Sequence, residues 1–258
     1  MLSNNQPAQK WTGFFSSEQR DLMLITAYDY ETTGVDPHTC EPVQMAAMVV
    51  TMNEDGTYTP VSETCEILNC DSEVPEGAYR VHGISTEMAR NSTVCPHEYT
   101  AKHIWNRVLG YNNTNYDDHI AKRYGADITQ SIDVFTAVNR LKAKGVLSKA
   151  SLSAAYEHFT GDEAENAHDA LADVQMTLAL IPYLMEALEF KTFTELVNYV
   201  TTPQGSLDTV WPFGKWKGKK VCNLPPSYVR WALENMHITN PDLRDSLEMY
   251  QEAKNERN

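Results

Sequence analysis

Apolar and polar positions along the chain follow two rhythms. The run LMLITAYDYE (22–31) is almost continuously apolar and ends in charge, the pattern of a strand buried on both faces. PVQMAAMVVTM (42–52) and TYTPVSETCEIL (57–68) predict two more strands, and the NEDG between them (53–56) predicts a hairpin turn. Beyond these the period changes. Helix is predicted near 96–106, a short strand over 107–112 and a helix through 118–124. A second short strand is expected at 132–134, with helix from there to Lys144 and another helix near 152–159. Leu171, Val174, Leu178, Ile181, Met185 and Leu188 then recur at spacings of 3, 4, 3, 4 and 3, a helical apolar stripe. Pro182 is expected to bend or interrupt that helix, because its ring displaces a turn and its nitrogen has no hydrogen to donate. An opening meander followed by alternating strands and helices predicts an α/β fold, a mixed sheet with helices packed on it.

Composition narrows the reading. A chain of 258 residues can bury one substantial core and a small satellite. With 42 % hydrophobic and 22 % charged residues, disorder and coiled coil are excluded as the main class. No apolar run approaches the ~18 residues of a membrane span, so no membrane partner is expected. The first residues lack the apolar core of a signal peptide. Five cysteines without a CxxC pair fit reduced thiols, so the expected location is cytoplasmic. The four expected segments are a loose arm over 1–18, a main domain over 19–200, a linker over 201–208 around TTPQGS, and a small Trp/Lys-rich module over 209–258. Charge divides along the same line. Residues 209–258 carry eight basic and six acidic side chains, whereas the rest is strongly acidic and dominates the net charge of −14. Such a body is unsuited to coating duplex DNA through a broad basic face, but it can bind a polyanion where metal ions neutralise a local acidic cluster.

Three groups of carboxylates are candidates for that cluster. Asp29 and Glu31 end the first predicted strand, and their spacing of two puts both side chains on one face. Held together they repel, unless a cation lies between them. A strand end running into a polar turn would explain the pair equally well. In GYNNTNYDD (110–118) Asp117 follows another predicted strand, and Asn112 and Asn113 suit a turn. In NAHDALADV (166–174) Asp169 and Asp173 are four apart on one helix face, with His168 just upstream. Helix capping accounts for Asp169, but gives Asp173 and His168 no task.

In order, the motifs are D-x-E after a first strand, N-x-x-Y-D after a later one and H-x-x-x-x-D opening a long helix. This set resembles the DEDDh 3′–5′ exonuclease family over about 22–188. The resemblance implies an RNase H-like fold, a mixed five-stranded sheet flanked by helices. It implies that Asp29, Glu31, Asp117 and Asp173 are catalytic carboxylates holding two Mg²⁺ or Mn²⁺ ions, with His168 as general base. Asp118 and Asp169 are assigned no ligand role. Thr32 and Asn113, beside the motifs, are expected to contact substrate. VHGIS (81–85) resembles the family's loop near the terminal nucleotide, so His82 either approaches substrate or is a structural loop histidine.

The implied reaction is metal-dependent hydrolysis of single-stranded DNA from its 3′ end to 5′-mononucleotides. Its expected partner is a single-stranded 3′ end, DNA before RNA; no protein partner is readable. An exoribonuclease or short-oligonucleotide hydrolase of the same family is the alternative, and a non-catalytic binder of nucleic-acid ends is the second. In the C-terminal module, lysines interleave with aromatics. Lys215, Trp216 and Lys217 are expected to grip substrate by stacking and charge, although a small hairpin-plus-helix unit would also need its tryptophans as core.

Overall fold

The three apolar runs form β1 (Met23–Thr32), β2 (Pro42–Met52) and β3 (Tyr58–Ile67), an antiparallel meander in which Asp29 pairs with Ala46 and Glu31 with Gln44. In the computed structural model, residues 23–255 are described apart from 166, 237 and 239, so the arm expected over 1–18 lies outside the described residues. Two further strands, β4 (Trp105–Gly110) and β5 (Asp127–Asp133), lie parallel on the other side of β1, completing a five-stranded sheet of order β3-β2-β1-β4-β5. The mixed sheet is the one expected, with two boundary corrections. β4 starts and stops two residues before the predicted strand, because Asn112 adopts a left-handed conformation (φ 64°) that ends extended structure. β5 begins at Asp127 rather than 132, because Ile128 and Ile132 are the only apolar residues of this edge strand and its polar residues hid it.

The helices are α1 (Glu76–His82), α2 (Thr86–Asn91), α3 (Pro96–His103), α4 (Asp117–Arg123), α5 (Val134–Ala143), α6 (Leu152–Thr160), α7 (Ala170–Ala187), α8 (Phe193–Thr201), α9 (Pro226–Asn235) and α10 (Pro241–Asn255). Among the described residues no helix is long and apolar enough to cross a membrane. The expected interruption at Pro182 does not occur; α7 runs through it. A proline inside a helix costs about 3 kcal/mol. Leu178, Ile181, Leu184 and Met185 around it are all buried, at roughly 1.5–3 kcal/mol each, so packing outweighs the defect.

The alternation of β1 decides where chemistry can sit. Tyr28 and Tyr30 face one side, packed with Met45, Ile104, Val108 and Ile120. Ile25 and Ala27 face the other, beneath Val174, Leu178 and Ile181 of α7. Asp29 and Glu31 continue that second row, so the face that is apolar core under the middle of α7 turns acidic at the helix's first turn.

The C-terminal segment builds a core of its own around Trp211, Val221, Leu224, Val229, Leu243, Leu247 and Tyr250, with one bridge between Val210 and Lys220. It is also bolted to the rest. Gly205, inside the stretch expected as a linker, lies so close to α10 that an added Cβ would be 2.6 Å from the Ser246 nitrogen. Arg140 of α5, only 5 % exposed, holds Asp242 of α10 through Nη2 at 2.6 Å and Nε at 3.0 Å.

Candidate active site

Asp29, Glu31 and Asp173 each present a carboxylate oxygen within 4.8 Å of the others. Two elements bring them together: the C-terminal end of β1 and the first turn of α7. The helix start is fixed locally. The Asp169 carboxylate caps it, accepting from the amides of Leu171 and Ala172 at 3.2 Å. Gln44, opposite Glu31 on β2, donates to Asp169 at 3.3 Å and accepts from the Ala170 amide at 3.3 Å. With capping done by Asp169, Asp173 is left to face the β1 pair.

The fourth carboxylate arrives from the β4 side. Past Leu109, β4 parts from β1, and the Tyr30 amide donates instead to Asp117 Oδ1 at 3.3 Å. The chain reaches Asp117 through a turn that constrains Gly110 and Asn112. Gly110 must lack a side chain, since a Cβ there would meet Asn113 Cβ at 2.7 Å. Asn112 supplies the left-handed residue, and its amide and the Thr114 hydroxyl both donate to buried Asp133, at 2.8 and 2.6 Å. Beneath, Asp118 Oδ1 accepts from the Tyr28 hydroxyl at 2.5 Å and from Asn113 Nδ2 at 3.0 Å. Asp118 thus belongs to a buried polar ladder, consistent with its having no expected ligand role.

Burial above all shows in the titration of the four groups. Burial pushes Glu31 up to about 8, helped by the charges of Asp173 and Asp117. Burial and then the Asp118 charge push Asp117 to about 8. Asp29 is held well above the usual carboxylate range by burial, followed by Asp117, Asp173 and Glu31. Asp173 rises to about 6 by burial, opposed by the His168 amide and charge. Buried carboxylates of this kind, with Asp29 and Glu31 also raised by their neighbours' charges, ionise at a cost that a bound divalent cation would offset. Hard oxygen donors suit Mg²⁺ or Mn²⁺ better than zinc, so the residues present fit such ions.

His168 stands at the rim. It is exposed, its backbone is left-handed (φ 71°), and its amide lies 3.4 Å from Asp173 Oδ1. His82 is near enough for the two histidines to affect each other, and both of its ring nitrogens are engaged. Nδ1 accepts from the Ile84 amide at 3.1 Å, so Nε2 carries the proton and donates to the Thr32 carbonyl at 3.2 Å. This is the structural alternative for His82, tying the α1–α2 corner to the end of β1.

Two other expected substrate contacts are placed differently. Asn113 is fully buried between Asp118 and Ser131 Oγ (2.7 Å), leaving no surface for a substrate; the turn needed a core residue there. Thr32 is also buried, its hydroxyl 2.5 Å from that of Tyr116 and 2.8 Å from the Gly34 carbonyl, closing the turn after β1. Lys215, Trp216 and Lys217 lie on the C-terminal module, the lysines exposed and the indole half-buried. Sequence reasoning missed Gln44, Tyr28 and Tyr116. Gln44 and Tyr28 act through strand register and side-chain reach, for which no local pattern gives a signal, whereas Tyr116 is the tyrosine of the N-x-x-Y-D motif.

Comparison with known proteins agrees with this geometry. The chain is 26 % identical over 193 residues to Exodeoxyribonuclease I of Haemophilus influenzae, covering 62 % of this chain and 39 % of that protein. Exodeoxyribonuclease I of Escherichia coli is 27 % identical over 250 residues, 81 % of this chain and 51 % of the relative. The chain therefore spans about half or less of the curated relatives it matches. Among solved structures, E. coli Exonuclease I in complex with a dT13 oligonucleotide superposes with a TM-score of 0.51 at 22 % identity, over 63 % of this chain and 41 % of that one, a likeness of fold. A family model named for a quorum-sensing-regulated virulence factor matches residues 205–256. The model of the exonuclease family matches residues 26–181, which include all four carboxylates and His168. The chain belongs to the exonuclease family.

Proposed function

We propose that this protein is a 3′–5′ exonuclease that removes 5′-mononucleotides from single-stranded DNA. The observation that carries this reading is the convergence of Asp29, Glu31 and Asp173 within 4.8 Å, with Asp117 against the same strand end and His168 on the same helix start. Preference for DNA is supported by the names of the matched relatives and by the oligonucleotide in the superposed structure. A cytoplasmic location accompanies the reading.

Asp29, Glu31, Asp117 and Asp173 would hold two Mg²⁺ or Mn²⁺ ions, which when bound supply positive charge to the phosphate and to the leaving oxygen. The remaining work falls to the chain. His168 takes the proton of the attacking water on a ring nitrogen. The water oxygen bonds to phosphorus as the P–O3′ bond breaks. The 3′ oxygen collects a proton from solvent, leaving a 5′-mononucleotide and a strand one residue shorter. Asp117 and Asp173 anchor the cluster to α4 and α7, so both helix starts must be in place before the four oxygens converge.

The test is hydrolysis of 5′-labelled and 3′-labelled single-stranded DNA, duplex DNA and RNA with Mg²⁺, Mn²⁺ or EDTA. The reading predicts a descending ladder from 5′-labelled single strands, release of labelled mononucleotide from 3′-labelled ones, and no reaction in EDTA. Faster loss of RNA would replace DNA by RNA as substrate, and binding without cleavage in either metal would leave only an end-binding protein.

A further inference from the structure

We propose that the C-terminal module is a docking surface for the single-stranded part of a nucleic acid, formed by Trp216, Tyr228 and Trp231 with Lys215, Lys217 and Lys219. Trp216 and Tyr228 are half-buried, each with one side against the module's core, while Trp231 lies outside that core. Trp211 fills its centre at 0 % exposure, whereas Trp231 is 48 % exposed on α9. Tyr228 stacks on Trp231 with centroids 5.6 Å apart and planes at 26°, has Trp216 at 6.1 Å, and sets its edge against buried Trp211 at 5.6 Å. The result is a run of three aromatic rings at the surface, the form of a platform on which successive bases stack.

The charges point the same way. Lys215 and Lys219 place their ammonium groups 5.2 and 4.9 Å from the Trp216 ring. Among the described residues neither they nor Lys217 forms an ion pair, whereas neighbouring Lys220 does so with Asp208 at 2.8 Å. Three unneutralised lysines beside exposed rings, on a chain of net charge −14, complement a polyanion that also offers flat apolar faces. An acidic peptide offers the charge without the faces, and a duplex hides its faces. The nuclease reading contributes only the identity of the polyanion; the surface itself stands on these rings and lysines.

Fluorescence anisotropy tests it on the full chain in EDTA, with 5′-labelled 20-mers of thymidine and of uridine, integrity checked on a gel. Trp231→Ala should weaken binding roughly 5- to 150-fold, the loss of one stacked base. Lys215, Lys217 and Lys219 all changed to Gln should flatten the slope of log Kd against log salt by about 2. The same triple change at Lys102, Lys149 and Lys191 should leave that slope closer to the parent's. Circular dichroism melting identifies variants that have merely unfolded, for which Trp231→Phe replaces Trp231→Ala and should retain most of the affinity. The proposal is overturned if the parent fails to bind either oligomer, if the folded Trp231→Ala or the folded Lys215/Lys217/Lys219 variant matches the parent, or if polyglutamate binds as tightly as the oligomers. Because no metal is present, absence of hydrolysis sinks the proposed activity alone, and absence of this binding sinks the docking surface alone.

Discussion

Arg140→Met isolates the attachment of the C-terminal module. The guanidinium makes three contacts with Asp242, Nη2 at 2.6 Å and Nε at 3.0 and 3.1 Å, and donates further to the Thr202 carbonyl at 3.2 Å and to the Tyr199 carbonyl. It also lies 4.8 Å from the Tyr199 ring centroid. Methionine keeps the packed stem and deletes every donor. What remains is a carboxylate whose side chain is 27 % exposed and two carbonyls near it without their donor. Breaking a buried pair costs about 3–5 kcal/mol. Water reaches Asp242 in part, so the lower end, about 3 kcal/mol, is expected. At about 2–4 °C per kcal/mol for a chain of this size, Tm should fall by roughly 6–12 °C in calorimetry. Asp242→Asn should cost less, and the double variant should cost about as much as Arg140→Met alone, because both act on one bond network. Amides of α10 should exchange faster with solvent while those of β1 and β2 keep their protection. A drop of Tm below about 2 °C, or strict additivity of the two changes, would show that the contact is decorative.

The active site should make the metal-free protein acid-preferring. Glu31 and Asp117 are raised to about 8 and Asp173 to about 6, so the folded state binds more protons than the unfolded one; stability in EDTA is fully present near pH 4 and is lost as pH rises through 6 to 8. Asp117→Asn should therefore raise Tm in EDTA at pH 8, leave it nearly unchanged at pH 4, and abolish hydrolysis; a parent whose Tm climbs from pH 5 to 8 in EDTA contradicts the account. His168→Ala should lower kcat by roughly 10²–10⁴ while isothermal titration still detects Mg²⁺ or Mn²⁺; parental kcat across pH 6–9 would exclude the base. Gly110→Ala forces a Cβ to within 2.7 Å of Asn113 and should cost about 1–3 kcal/mol in urea unfolding, with activity falling alongside because the turn presents Asp117.

Legibility followed the strength of burial. β1, β2 and α7 were readable because each is long and packed against a full core, which forces a continuous or periodic apolar pattern; β3, an exposed edge strand, was readable from the turn signal before it. β5 was truncated since an edge strand tolerates polar residues. α8 was overlooked despite a usable signal: Thr192 and Glu195 form a capping box, with Phe193, Leu196 and Val197 buried behind it. At the site, spacing offered Asp29, Glu31 and Asp173 as candidates, but it was the order of three motifs and their resemblance to a family that joined Asp117 and His168 to them. Asn113 was misjudged for the same reason. A polar residue inside a motif suggests contact with substrate, but here it satisfies Asp118 and Ser131 inside the protein. Gln44 could not be found, since only the pairing of β1 with β2 puts it beside Glu31.

The backbone at His168 lends itself to chemical complementation. Its φ of 71° is one that glycine adopts freely and other residues adopt at some cost. His168→Gly should thus preserve the loop and the start of α7 while vacating an exposed, imidazole-shaped space beside Asp173. Free imidazole added to that variant should restore turnover in proportion to its concentration, and methylated imidazoles should do so according to their basicity. The proposed general base would then be exchangeable, its proton affinity adjustable from the bottle with the rest of the protein unchanged.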